Sequence, residues 1–364
     1  MKASVNRQEL AEALGVVGGV LSVRTTKPIL QCVLVRVEAD CAILGATDLE
    51  VSVRQTVSQI EVAEPGDVLL SADKLTKIVR ESADEVLELE TVENICHVRG
   101  ADSHFQLVSQ DAREFPAIAE MQTPADFEIE AGLLRRLVDW TVFAAARENT
   151  RYAINGVLWE RKGKKLTLVS TDGRRLSLAC GTVSKGSDGD VQVIVPTKAM
   201  HLLQRMVTDD KDKVSVKATD NQILLSTRRA TVGAALVEGR FPQYQDVIPQ
   251  DNDKRVVVRT EEFLSAVRRA ALLTNDESKG VKMLFDKGTL ALSSRAPEQG
   301  EACVTMPVDY NGERIEIGFN PIFLTEALRV VFDETVTFEF KAANRPGVIR
   351  CGADFQYIVM PINL

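Results

Sequence analysis

Three unrelated markers in this chain recur at one interval, and that interval limits the fold to a tandem repeat of a whole domain. Thr47-Asp48 closes a strand-like run in the first third and Thr171-Asp172 does so in the second, 124 residues on (171−47). Ser293-Ser294 is placed at the same point of the third, 122 residues further (293−171). A helix-opening marker follows the same spacing: Ser71-Ala72-Asp73-Lys74, Pro196-Thr197-Lys198 and Asn320-Pro321-Ile322-Phe323 start 125 (196−71) and 124 (320−196) residues apart. Phe115-Pro116 and Phe241-Pro242 are 126 apart (241−115), and Met360-Pro361 stands near the end. A period of this length is too long for a solenoid repeat and matches a duplicated domain. The expected domains are 1–122, 126–249 and 254–364, with short polar linkers near 121–126 and 249–254 that hold neighbours close.

Each copy reads as two helices among short strands. Asn6 with Glu9 three residues later has the pattern of a capping box, Ser71 is a residue type favoured at N-caps, Thr260 precedes Phe263, Ala266, Val267 and Ala270, and Asn320-Pro321 pairs an N-cap residue with a first-turn proline. Alternation in Cys32-Val33-Leu34-Val35-Arg36-Val37-Glu38 and in Thr335-Val336-Thr337-Phe338-Glu339-Phe340 predicts strands. Asp220-Asn221, Asp286-Lys287-Gly288, Ser187-Asp188-Gly189 and Asn344-Arg345-Pro346-Gly347 supply turns between them. Six helices are expected, and the class is α+β, antiparallel, with helices on one face of each sheet.

No apolar leader or stretch of membrane-spanning length is visible, so the chain is read as cytoplasmic, without a membrane partner. The six cysteines lack a CxxC pair and are expected to be reduced and buried. His97, His104 and His201 have no metal-ligand spacing, so no metal or other cofactor is expected.

A net charge of −8 argues by itself against a nucleic-acid partner, but its distribution points the other way. On the helix from Thr197, Lys198, His201 and Arg205 form one stripe opposite Leu202, Leu203, Met206 and Val207. Lys74, Lys77 and Arg80 recur every three residues around Leu75, Ile78 and Val79; Arg135, Arg136, Arg268, Arg269 and Arg329 add cations to three other helices. One such face is ordinarily a solvated surface, whereas recurrence in three copies of an acidic chain suits a polyanion. Nucleotide-loop, nucleophile-elbow and zinc-protease motifs are absent. Ser170-Thr171-Asp172-Gly173-Arg174-Arg175 holds groups suited to a phosphate, so an enzyme acting on a phosphorylated substrate through 171–175 is the alternative to binding; flanking alternation favours a hairpin turn.

Thr47-Asp48-Leu49-Glu50, Arg151-Tyr152-Ala153-Ile154-Asn155-Gly156, Thr171-Asp172-Gly173-Arg174-Arg175-Leu176, Gly239-Arg240-Phe241-Pro242-Gln243-Tyr244, Ile317-Gly318-Phe319-Asn320 and Tyr357-Ile358-Val359-Met360-Pro361-Ile362 together resemble, over the whole length, the β sliding clamp family, the processivity subunit of bacterial DNA polymerase III. The resemblance implies three clamp domains per chain, sheets outside and helices inside, and a head-to-tail homodimeric ring around double-stranded DNA, held without sequence preference. It implies no catalysis, and a separate loader ATPase to open the ring. Arg24 resembles a further DNA-contacting position, Phe105 and Leu107 an interface surface complementary to Leu272 and Leu273. It also implies a groove for short linear motifs of the replicative polymerase, the loader and repair proteins, lined by Ile154, Thr171, Gly173, Arg175, Leu176, Pro242, Val247, Ile358 and Met360, with Thr171 and the Gly173 backbone meeting the peptide's polar groups. Arg174 stands where the family usually has histidine, Asp246 where it often has a basic residue, Arg345 and Gly347 where small or apolar rim residues stand, and Asn363 in place of a terminal arginine; motif preference is left open, as is a paralogous clamp role.

Overall fold

The computed structural model describes residues 1–22, 25–147, 152–186, 189–274, 280–297 and 299–363. Among these residues there are six α-helices: α1 (Arg7–Val17), α2 (Ala72–Glu81), α3 (Ala131–Asp139), α4 (Thr197–Met206), α5 (Thr260–Ala270) and α6 (Pro321–Arg329). None is long and apolar enough to cross a membrane. The strands form four sheets, antiparallel in the registers quoted below.

The chain divides into two compact units, and each draws strands from two of the three sequence thirds. The first comprises Met1–Arg135, Val183–Gly189 and Val195–Leu236. Its nine-stranded sheet is continuous because Ala230–Ala235 of the second third pairs with Val51–Val57 of the first. Its five-stranded sheet ends on the strand His104–Val108. The second unit comprises Arg136–Thr182, Asp190–Ile194 and Val237–Leu364. Its eight-stranded sheet is joined the same way, Arg175–Thr182 pairing with Phe355–Val359, and a four-stranded sheet ends on Gly300–Pro307.

Local chemistry places the elements. Asn6 Oδ1 accepts the Glu9 amide at 3.0 Å at the start of α1, and Asn320 Oδ1 accepts the Ile322 amide at 2.9 Å at the start of α6. The expected capping box at Asn6 is only half formed. The Asn6 amide donates to Gln59 O instead, and Glu9, nearly buried, accepts the Ser58 and Gln59 amides at 3.0 and 2.6 Å. Ser71 precedes α2 but makes no side-chain cap; it is paired in the sheet opposite Cys32. Thr260 is the first residue of α5 rather than its cap, and its hydroxyl donates to Asp333 O at 2.6 Å.

The third copy of the strand-closing marker is displaced. Ser293 and Ser294 lie inside the unbroken strand Thr289–Ala296, so they do not close a strand. Ser294 donates to Ala270 O at 2.6 Å, the residue capping a short 3-10 turn, and Ser170 donates to Thr141 O, which caps the corresponding turn of the second third. Ser294 is therefore the counterpart of Ser170, 124 residues on (294−170), and the period holds with the alignment shifted from Thr171-Asp172.

Apolar packing closes each unit. Phe285, Phe338, Phe340 and Phe319 stack or meet edge-on inside the second, with Phe285 and Phe340 centroids 4.3 Å apart. Gly347, expected on an exposed rim, is buried in this cluster: a Cβ there would lie 2.8 Å from Phe338 and 2.9 Å from Phe319. All six cysteines are free thiols; four are buried, Cys41 is half-buried, and Cys303 is exposed on the edge strand, contrary to the expectation for it.

Candidate functional site

The basic side chains are set by helices whose opposite faces are in the core. On α2, Ala72, Leu75 and Val79 are buried while Lys74, Lys77 and Arg80 are exposed; Lys77 bonds Asp73 one turn back at 2.9 Å. On α4, Leu202, Leu203 and Met206 are buried, Val207 beyond it is buried too, and His201 and Arg205 are exposed. Arg136, Arg268, Arg269 and Arg329 are exposed as well. Arg80, Arg136, Arg205, Arg268, Arg269 and Arg329 all fall in the last turn of their helices, where cations complement the carbonyl end of the helix dipole. Part of the recurrence is thus explained by helix electrostatics. The helix α1 departs from the pattern, with no basic residue in its last turn.

Besides Lys77, two further cations expected to meet DNA are engaged within the chain, both with partners remote in sequence. Lys198 is half-buried and donates to Val20 O at 2.6 Å and to Asp48, tying α4 to the turn at 47–51. Arg135 pairs with Asp210 at 2.7 Å. Arg24 lies outside the described residues.

Three of the expected groove residues, Thr171, Leu176 and Ile358, share one row of the eight-stranded sheet. Register places Thr171 opposite Leu176, Leu176 opposite Ile358 and Ile358 opposite Val348, a cross-strand row, with Val169 opposite Leu178 beside it. Leu176, Ile358, Val169 and Val348 form an apolar cluster with Ala153, Leu158, Ile194 and Tyr244, and Leu178, Val237, Phe241 and Ile248 pack on it half-buried. Met360, 43 % exposed, and Val247, 51 % exposed, remain open to solvent, and Pro242 is half-buried. Met360 is held by its amide, which donates to Arg174 O at 3.0 Å. Ile154 is buried, its carbonyl accepting from Ala146 N at 2.9 Å. Leu178, Phe241, Tyr244 and Ile248 were absent from the sequence-based set; the two-residue spacing from Leu176 to Leu178 was the available signal.

The 171–175 segment is a hairpin turn stabilised by its own side chains. Thr171 Oγ1 donates to Arg175 O at 2.6 Å and accepts the Gly173 amide at 3.1 Å; Asp172 Oδ1 accepts the Arg174 and Arg175 amides at 3.0 and 3.1 Å. Gly173 adopts φ +85°, which glycine tolerates without strain. The turn at 47–51 is its twin: Thr47 and Asp48 make the same bonds, and Leu49 takes φ +83°. The Thr171 hydroxyl proton and the Gly173 N–H are thus engaged inside the turn. Asp172 also accepts from Arg175 Nε at 3.0 Å through its second oxygen, so both of its oxygens hold the turn together.

Arg175 differs from its groove neighbours. Alternation turns its side chain away from the face that carries Leu176, and its buried guanidinium donates to Phe143 O at 2.9 Å and to Glu326 and lies 4.5 Å from the Phe323 ring centroid. Arg345 is paired with Asp251 at 3.5 Å, while Arg174, Asp246 and Asn363 are exposed.

Phe105 and Leu107 lie on the terminal strand of the five-stranded sheet, Phe105 exposed and Leu107 half-buried; Leu272 is 76 % exposed and Leu273 half-buried in a 3-10 turn. The hairpin that carries Phe105 also brings His97 Nδ1 and His104 Nε2 to 2.9 Å, a pairing the seven-residue spacing did not suggest, but no group of three or more potential metal ligands occurs among the described residues.

Family models of the DNA polymerase III beta subunit match in succession: the N-terminal domain at residues 1–119, the central domain at 128–243 and the C-terminal domain at 245–363. The Beta sliding clamp of Pseudomonas aeruginosa is 35 % identical over 367 residues, covering all of both chains, and that of Escherichia coli K12 is 31 % identical over 369, again covering all of both. The crystal structure of the P. aeruginosa clamp bound to griselimycin superposes with a TM-score of 0.94 at 34 % identity over the full length of both chains. The clamp from Bacillus subtilis gives 0.93 at 26 % identity over 100 % of this chain and 99 % of that one. With its three domain models in order and full-length identity above 30 %, the chain belongs to the family of bacterial β sliding clamps, the beta subunits of DNA polymerase III.

Proposed function

We propose that this chain is the non-catalytic clamp that encircles duplex DNA and tethers the replicative polymerase for processive synthesis. The observation that carries the reading is the threefold period, matched by three successive clamp-domain models and accompanied by exposed cations on α2 to α6 in a chain of net charge −8. Three domains, 1–122, 126–249 and 254–364, form each chain, and two chains close head to tail, the strand His104–Val108 with Phe105 and Leu107 meeting Leu272 and Leu273 of the partner. Lys74, Lys77, Arg80, Arg136, His201, Arg205, Arg268, Arg269 and Arg329 face the DNA, with Arg24, Arg135 and Lys198 supporting them.

A topological link needs no tight grip. Each neutralised phosphate adds affinity and resists movement, so a few sequence-independent contacts suit sliding better than base readout. The face bearing Leu176, Ile358, Val247 and Met360 receives apolar side chains of short motifs from the polymerase, the loader ATPase and repair proteins in the cytoplasm, and Asp246 and Arg174 set the charge preference at its edge. The test is retention on circular duplex DNA after loading: a clamp is released when the circle is cut. Binding that survives linearisation with unchanged lifetime contradicts the reading.

A further inference from the structure

The peptide face has a twin in the other compact unit, built by the same hydrogen-bond register. In the nine-stranded sheet Thr47 lies opposite Ser52, Ser52 opposite Gly233 and Gly233 opposite Leu224, with Gly45 opposite Arg54 alongside. This row matches Thr171, Leu176, Ile358 and Val348, with Val169 opposite Leu178, position for position. The turns that open the two rows are the twin turns at 47–51 and 171–175.

The floors differ in height. Where the second unit has Val169, Leu176 and Ile358, the first has Gly45, Ser52 and Gly233. The space so left is filled by the chain itself. A Cβ on Gly45 would collide with Ile118 Cδ1, and one on Gly233 with the Ala119 Cβ. The Ala119 amide donates to Ser52 Oγ at 3.2 Å, Glu120 pairs with Arg54, and Ile118 packs on the cluster of Cys32, Leu69 and Phe115. Counting from the Phe-Pro markers, Ile118 corresponds to Tyr244 (115+3 and 241+3). Over the higher floor, Tyr244 begins a 3-10 turn, Tyr244–Val247, and packs beside Leu176 and Ile358, while Val247 of that turn and Met360 stay exposed.

We infer that the first unit contains a second, latent groove for an apolar linear motif, and that residues 115–120 of the same chain are its resident ligand. Glycine and serine at floor positions let an extended backbone settle close to the strands, an isoleucine supplies the apolar anchor, and the serine hydroxyl and an arginine meet one backbone amide and one carboxylate. Each chain then offers external motifs one groove, because its own linker occupies the other.

The test uses the full chain and a labelled synthetic heptapeptide of residues 114–120. Ile118→Ser removes the resident anchor and should bind one equivalent of the heptapeptide at least tenfold more tightly than the unaltered chain. Adding Met360→Ala to Ile118→Ser should leave that binding unchanged. The inference is overturned if folded Ile118→Ser binds no better than the unaltered chain, or if Met360→Ala abolishes the gain, since the peptide then sits on the open face. Should Ile118→Ser not fold, hydrogen exchange on the unaltered protein decides: the Ala119 amide should exchange at least tenfold more slowly than in the free heptapeptide, and equal rates refute residency. Peptide capture at the open face is scored separately by Met360→Ala alone, so failure of that reading is distinguishable from failure of this one.

Discussion

Arg175 and Glu326, 151 residues apart in sequence, form an ion pair that fastens the hairpin turn of the peptide face to helix α6. Arg175 is buried, and besides Glu326 its guanidinium engages Asp172 at 3.0 Å and the Phe143 carbonyl at 2.9 Å, over the ring of Phe323. The turn that supports Met360 through Arg174 O is thereby positioned from the opposite side of the sheet.

Removing one partner of such a pair leaves a buried charge short of a counter-ion, which costs about 3 kcal/mol. Glu326→Ala should lose roughly that stability in urea unfolding. It should also weaken binding of an apolar linear peptide, although Glu326 belongs to α6 rather than to the peptide face. An unchanged urea midpoint would show that Asp172 alone suffices for Arg175.

Met360 is more exposed than the buried floor residues, so truncating it removes contact area for a ligand without opening the core. Met360→Ala should weaken peptide binding by about 2 kcal/mol, the size of a central anchor, with thermal stability preserved. Calorimetry on the same peptide with both proteins measures the difference.

The helix cations separate into two kinds. Arg80→Glu and Arg329→Glu reverse exposed charges and should lower the slope of log affinity against log salt by about 0.9 for each phosphate left without its cation, leaving the unfolding midpoint in place. Lys198→Glu instead sets a carboxylate against Asp48 and should lower the midpoint as well as DNA retention. Titrating DNA binding at several salt concentrations, beside thermal melts, distinguishes the two.

Burial, and for Tyr244 its bond to Glu160, push the Tyr244 and Tyr357 phenols well above their ordinary range. Both stay protonated in the fold at pH values where the unfolded chain begins to release these protons, near 10. The stability they contribute is therefore complete below about pH 10 and declines as pH rises above it, by up to about 1.4 kcal/mol per pH unit for each group. Tyr244→Phe should make that decline shallower in urea unfolding from pH 9 to 11. Equal slopes would show that Tyr244 ionises as freely in the fold as outside it.

What was legible in the chain was whatever depends on neighbours in sequence. Asn320 caps α6 because its side chain reaches an amide two residues on, and 171–175 turns back because Asp172 and Thr171 bond within five residues. Lys74 and Arg80 are exposed because helical spacing sets them opposite Leu75 and Val79. At Glu9, Lys198, Gly347 and Arg175 the partners were not legible for one reason: Ser58, Val20, Phe319 and Glu326 are remote in sequence.

The sequence by itself determined the period of the repeat, the helix and strand pattern within it and the sites of its turns, since these follow from local spacing and backbone preference. Only the tertiary structure decided how the linker after each Phe-Pro marker lies on two matching sheet faces. Glycine and serine lie beneath the first linker and valine, leucine and isoleucine beside the second, and cross-strand register brings those residues, far apart along the chain, under Ile118 or beside Tyr244.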